Sequence, residues 1–405
     1  MRSTPPALRG LLCAVVCGMV WAMASENAAH AASGSAMSSM SGVSMLIPPR
    51  MASPVPVGLL KVLQLLTFFG HIVLVNIVLG SVILAVVDRR DAATTARHGV
   101  AFLPQMLALA VNFGVAPFLF LQVAYGSFLY PSLVLMAVWW LCIVLAVMLA
   151  YYGLYVSDLA VLPPRRVPVL ALTAVLLLAA AFVLTNMSTL MISPGNWRQW
   201  FNDPHGTILN LGDPTLFPRY AHMVIASLAV GGLVMAWRAW WSGRKPETDA
   251  VEAARHFRRG LDWFFYASLA QAASGLLFLF SLPQEVRALF LGESAVHTIA
   301  LVLVLAGLCI ALYLARQGEL KRVTVAALGV ILLMVCVRDL LRDAMLRSYA
   351  PSVSAPPLPL AMPQGQNLAF ALFVLSLGVA AVTLLWMGRV VLRCYRSGKP
   401  EIGEG

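Results

Sequence analysis

Charge is scarce in this chain. Of its 405 residues only 11% are Asp, Glu, Lys or Arg, against about 25% in an ordinary soluble domain. Too few polar groups are present to cover a water-soluble globule of this length, which excludes a soluble enzyme. The 60% hydrophobic content excludes a disordered chain and a fibrous protein as well. Paired cysteine is also lacking. The six cysteines, Cys13, Cys17, Cys142, Cys309, Cys336 and Cys394, form no CxxC, so nothing supports a zinc ribbon or a thioredoxin motif. No CxxCH occurs, so this chain attaches no c-type haem covalently. No internal repeat and no stretch of soluble-domain composition stands out.

Long apolar runs are what the sequence does contain, and they predict an all-α, polytopic transmembrane helical bundle. The N-terminus reads as a leader over residues 1–31. Arg2 and Arg9 precede an apolar stretch from Leu11 to Met23, with small-x-small sites at Ala22–Ala24 and Ala29–Ala31. Residues 32–56, rich in Ser, Met, Gly and Pro, read as a flexible exported tail. From there to 392, about nine spans are expected, near 57–87, 101–125, 131–156, 167–192, 217–241, 260–282, 293–315, 322–345 and 366–392. Each approaches or exceeds the roughly 20 residues that cross a bilayer. Residues 393–405 are left as a cytoplasmic tail.

The formal net charge of +11 needs no nucleic-acid partner. With residue 57 starting outside, the inner loops collect Arg89, Arg90, Arg97, Arg165, Arg166, Arg244, Lys245, Arg255, Arg258 and Arg259. They continue with Arg316, Lys321, Arg322, Arg393, Arg396 and Lys399, while the outer loops hold only Arg50, Arg198, Arg219, Arg287 and Arg347, with Arg342 at the border. This asymmetry predicts a multi-pass protein of a bacterial-type inner membrane, its N-terminus outside after leader cleavage.

Polar groups inside lipid are costly and mark function or internal packing. His71 stands midway along the first span with Asn76 five residues on, and His222 lies at the outer start of the fifth, three residues after Arg219. His297 opens the seventh span, and His205 falls in the loop before the fifth. Met187 and Met191 share one face of the fourth span at i and i+4. Imidazole and thioether are axial ligands of haem iron, and Arg219, Trp197 or Trp200 suit the carboxylates of its edge. Each type has a plainer use: a packed histidine, an apolar methionine, a tryptophan belt. The run Arg338–Asp343 closes the eighth span, with Arg338 and Arg342 on one face and Asp339 placed to pair with Arg342. It serves either as an ion-paired helix end or as a propionate or quinone site. Gln122 and Gln271 are further candidates for quinone hydrogen bonds.

Three stretches together resemble subunit I of the cytochrome bd quinol oxidase superfamily. LQLLTFFGHIVLVNIVLGSV, residues 63–82, carries a His-x3-Val-x3-Leu-Gly pattern similar to that family's first helix. TNMSTLMISP, residues 185–194, is similar to the segment closing its fourth helix, and FPRYAHMVIASLAVGG, residues 217–232, to the start of its fifth. The resemblance implies haem b, two or more per chain, with His71 ligating a high-spin haem and His222 a low-spin one. Met362 at the outer edge of the ninth span, Met187, Met191 or His297 would supply a further axial ligand, and Arg219 and Arg338 would face propionates. The family's GRQPW signature and its long quinol-binding loop are absent. The expected activity is therefore that of a membrane b-type cytochrome subunit in a quinol-dependent oxidoreductase. It would pass electrons between quinol and an exported c-type cytochrome or a second membrane subunit. A terminal quinol:oxygen oxidase, a cofactor-free membrane transporter and a structural anchor are the alternatives.

Overall fold

The computed structural model describes residues 46–49, 57–87, 102–158, 166–246, 248–347 and 349, with scattered residues between 368 and 390. The leader, nearly all of the 32–56 tail, the 393–405 tail and about half of the 366–392 span, Met362 before it included, lie outside the described residues. The chain divides into two compact units. In the unit containing residues 357–405, the described residues from 368 to 390 are helical, and Leu368, Leu372, Leu375 and Trp386 are exposed.

The other unit is all helix among the described residues, with eight segments long and apolar enough to cross a membrane. They are α1 (Val57–Val87), α2 (Leu103–Leu135), α3 (Ala137–Asp158), α4 (Arg166–Met191), α5 (Leu216–Ser242), α6 (Ala250–Ser281), α7 (Ala295–Arg316) and α8 (Leu320–Arg347). At about 1.5 Å per residue the shortest of them already exceeds a hydrocarbon core of about 30 Å. A 3₁₀ helix, Pro194–Phe201, follows α4, and a one-turn helix, Gln284–Ala288, follows α6. The multi-pass membrane bundle read from composition is thus the fold.

Two boundaries differ from expectation. The interruption anticipated between 125 and 131 is present as a kink at Tyr125, where the dihedrals are non-helical, but helix resumes beyond it to Leu135 with Pro131 inside, so that the next span starts at Ala137 rather than 131. The Gly126–Ser127 pair beside Tyr125 permits the bend, and a proline near the end of a helix forfeits a single backbone bond. Helix α6 starts at Ala250 rather than 260, because Asp249 caps it by accepting from the Val251 N–H at 2.8 Å. Its first charged turns extend beyond the apolar stretch.

Helix α1 is central, packing against α2, α4, α5 and α8. Close packing of α5 against α1 and α6 depends on two glycines. A Cβ on Gly231 would stand 2.6 Å from the Gly80 carbonyl carbon, and one on Gly232 would stand 2.6 Å from the Phe264 nitrogen of α6. Helix association in lipid relies on such small residues, since lipid tails are as apolar as leucine. Replacing Gly231 by Leu is expected to cost about 3 kcal/mol or more, because backbone atoms have no rotamer to yield with. Gly58, with nothing within 4 Å, should accept Leu. Thermal scans of the two variants in mild detergent, monitored by monodispersity, check the contrast.

Candidate functional site

Directly above the Gly80–Gly231 crossing, α1 and α5 run in the same direction, each starting near the C-terminal end of α8. Lys61 of α1 pairs with Asp343, and the start of α5 places Arg219 beside Arg338. His71 lies nine residues before Gly80, and His222 lies nine before Gly231. Both imidazoles therefore sit two and a half turns, about 13.5 Å, above the crossing and on the far side of their helices from it. They diverge. His71 faces α2, and His222 faces α6.

Each ring is held in the same manner. His71 Nδ1 donates to the Ala110 carbonyl at 2.8 Å, and the ring lies against Gly114, where a Cβ would come within 2.7 Å of it. His222 Nδ1 approaches the Gln271 carbonyl and the Ser274 hydroxyl, both at 3.1 Å, with Gly275 against its ring. A carbonyl only accepts, so the proton sits on Nδ1 and the Nε2 lone pair is left available. That is the tautomer and the orienting bond of a metal-ligating histidine.

The methionines and arginines converge on a pocket at the same end of the bundle. It is a small, partly open pocket. Met187 and Met191 of α4, Arg219 of α5, Arg338 and Arg342 of α8 and Leu121 of α2 line it. Arg219 donates through Nη1 to the Ser188 hydroxyl at 3.1 Å and lies over Phe278, 5.0 Å from the ring centre. Arg338 stacks on Phe68 at 4.3 Å, and Phe68 neighbours His71 with ring centres 6.1 Å apart. Arg342 covers Tyr125 at 4.0 Å and pairs with Asp339, at the i,i+3 spacing noted in the sequence. The pocket thus joins the His71 side, through Phe68 and Arg338, to the His222 side, through Arg219.

Other expected residues stand apart. His297 is fully buried in the first turn of α7, with Nδ1 2.7 Å from the Ser294 hydroxyl and its ring edge-on to Phe290, and it does not line the pocket. Trp197 is buried, and its N–H is taken by the Leu190 carbonyl at 2.9 Å, fixing the 3₁₀ helix onto α4. His205 is exposed in the loop before α5.

A neighbouring ion cluster was not anticipated. Lys61 pairs with Asp343, which also accepts from the Tyr125 hydroxyl, tying α1, α8 and the bend of α2 together. The signal in the sequence was Lys61 itself, a single cation in a 31-residue apolar helix. The loop before α5 is secured through Asp213, which accepts from Ser193 Oγ, Asn210 Nδ2, Thr215 N and Thr215 Oγ1.

Comparison with protein-family models and with curated proteins finds no match for this chain. Function is therefore argued from the donor set. Imidazole and thioether are of the types that ligate haem iron, and guanidiniums of the type that face its propionates, although neither His71 nor His222 lines the pocket that holds the methionines and arginines. Among the described residues no cluster of three or more His, Cys, Asp or Glu is placed to hold a bare metal ion.

Proposed function

We propose that the chain is a b-type cytochrome subunit of a bacterial-type inner membrane. It would carry electrons between quinol and an exported c-type cytochrome or a second membrane subunit. The observation that carries the reading is the pair of intramembrane histidines, each donating Nδ1–H across a helix interface and each presenting Nε2. A histidine retained merely for packing has no need of that arrangement twice, at equal height, beside a glycine that gives the ring room.

In this reading His71 and His222 hold iron, with Met187 or Met191 as the thioether candidates. Bound haem supplies reversible one-electron transfer. The chain's own residues do the rest. Ala110 and Gln271 orient the imidazoles. The apolar helices exclude water. Arg219 and Arg338 offset the negative carboxylates at the haem edge. The basic turns carrying Arg244, Lys245, Arg258, Arg259, Lys321 and Arg322 face the cytoplasm, and the pocket end faces outward, where an exported electron acceptor would meet it.

The test is a dithionite-reduced minus oxidised visible spectrum of the full chain, purified from a haem-replete host, with pyridine haemochrome quantitation. A b-type α band with more than one haem per chain is expected. A folded, haem-free preparation would sink the reading and leave a cofactor-free transporter or anchor.

A further inference from the structure

We infer that the pocket between α2, α4, α5 and α8 is a binding site for an oxyanion, a carboxylate pair or a phosphate. The inference stands on the pocket's charge and hydrogen-bonding state and holds with or without haem.

Charge is the first ground. Lys61, Arg219, Arg338 and Arg342 form one cluster at this end of the bundle, linked through Asp343 and by the electrostatic influence of Arg219 and Arg342 on Arg338. Against these four cations stand Asp339, paired with Arg342, and Asp343, paired with Lys61 and Tyr125. Asp213 acts on Arg219 from the loop, although its oxygens are already engaged by four donors. Among the described residues of this cluster, four cations less three carboxylates leaves one positive charge in excess. Inside a membrane bundle such an excess is costly unless something neutralises it.

Hydrogen bonding is the second. Nε and Nη2 of Arg219 and Nε and Nη1 of Arg342 are buried without a hydrogen-bond partner among the described residues, and both side chains line the pocket. Arg342 is only 5% exposed. Aromatic rings take the guanidinium faces, so what remains to be satisfied is their N–H edges. A guanidinium edge matches an oxyanion in two-point geometry.

Depth is the third. Met191 ends α4, Arg219 lies in the first turn of α5, and Arg342 lies in the last turns of α8. The pocket mouth is therefore near the headgroup level, and its interior is apolar where Leu121, Met187 and Met191 line it. An oxyanion attached to an apolar body suits such a lining. Three sources meet that description in part: the carboxylates of a bound cofactor, an anionic lipid headgroup, and free phosphate.

The experiment measures the thermal midpoint of the full chain in neutral detergent, in haem-loaded and haem-free preparations. Each is titrated with inorganic phosphate against chloride at equal ionic strength, and with phosphatidylglycerol against phosphatidylcholine. The proposal expects a saturable rise of several degrees with at least one oxyanion in the haem-free protein. Arg342→Met should abolish the rise, and Lys321→Met at the opposite end should leave it intact. A rise confined to haem-free protein identifies the cofactor's carboxylates as the native occupant. Where the rise occurs in both preparations, one with phosphatidylglycerol alone identifies a lipid headgroup, and one with phosphate identifies a free anion. Should Arg342→Met fail to fold, Arg342→Lys is read instead, with a weakened but saturable response expected. No oxyanion response in haem-free wild type, or an undiminished one in the Arg342 variants, overturns the proposal. Absence of haem defeats the cytochrome reading without touching this one.

Discussion

Replacing His222 by Ala is expected to remove one haem from the protein, and replacing His71 by Ala to remove another. Each variant should lose roughly half of the reduced-minus-oxidised α band if the chain binds two, since protein-bound b-type haem depends on its axial ligands. The losses should be independent. The two rings sit on opposite sides of the α1–α5 pair and share no hydrogen-bond partner, and sites without common partners behave additively. The double variant should therefore be haem-free. Glycine at either position should leave a hole that added imidazole can enter, restoring part of the band. A purely structural histidine would not give this spectral rescue. An unchanged spectrum in both single variants would remove these residues as ligands and turn attention to His297 and the methionines.

The ligand bonds also imply a milder variant. Gly114→Ala would place a methyl group 2.7 Å from the His71 ring and 2.8 Å from its Nδ1. The ring must shift, so the band assigned to His71 should broaden or shift while the band assigned to His222 stays. Low-temperature reduced spectra resolve the two.

The helices themselves were legible because hydrophobic length and charge asymmetry are local properties of the sequence. Their ends were less so. The interruption expected around Gly126 and Pro131 is reduced to a kink at Tyr125, whose hydroxyl reaches Asp343 on α8, and no local pattern encodes that partner. His71 and His222 were visible as rare intramembrane imidazoles. Their outward divergence depends on the Gly80–Gly231 crossing, a contact between residues 151 positions apart. Arg338 and Arg342 could be placed on one face by spacing alone, yet only tertiary packing brings Arg219 to them. Lys61 was the clearest missed clue: a lone cation in an apolar helix requires a partner, and Asp343 is the one it finds.

That pair sets the second large effect. Asp343→Leu removes the carboxylate and leaves Lys61 charged, with its side chain only 11% exposed, and it also strips the Tyr125 hydroxyl of its acceptor. Breaking a buried pair from one side typically costs about 3–5 kcal/mol, because the remaining charge is uncompensated. Here the loss should sit toward the upper part of that range, since Arg342 lies near Asp343 and also loses a neighbouring negative charge. Lys61→Met alone should cost less, because Asp343 keeps Tyr125 as a donor and gains the undivided attraction of Arg342. The double variant Lys61→Met/Asp343→Leu should recover most of the loss, as a buried pair replaced by apolar groups of similar volume is often neutral. Unfolding in a graded denaturing-detergent series, monitored by tryptophan fluorescence, measures all three. If the double variant is instead as unstable as the sum of the singles, the pair is not acting as a unit. The α1–α8 contact would then rest on apolar packing around Leu65, Leu333 and Cys336. If it recovers stability but loses haem or the oxyanion response, the cluster serves the neighbouring pocket rather than the fold. The reason would then be positional: removing Lys61 and Asp343 together leaves the net charge around Arg342 unchanged but takes away the staple that sets the position of α8 against α1.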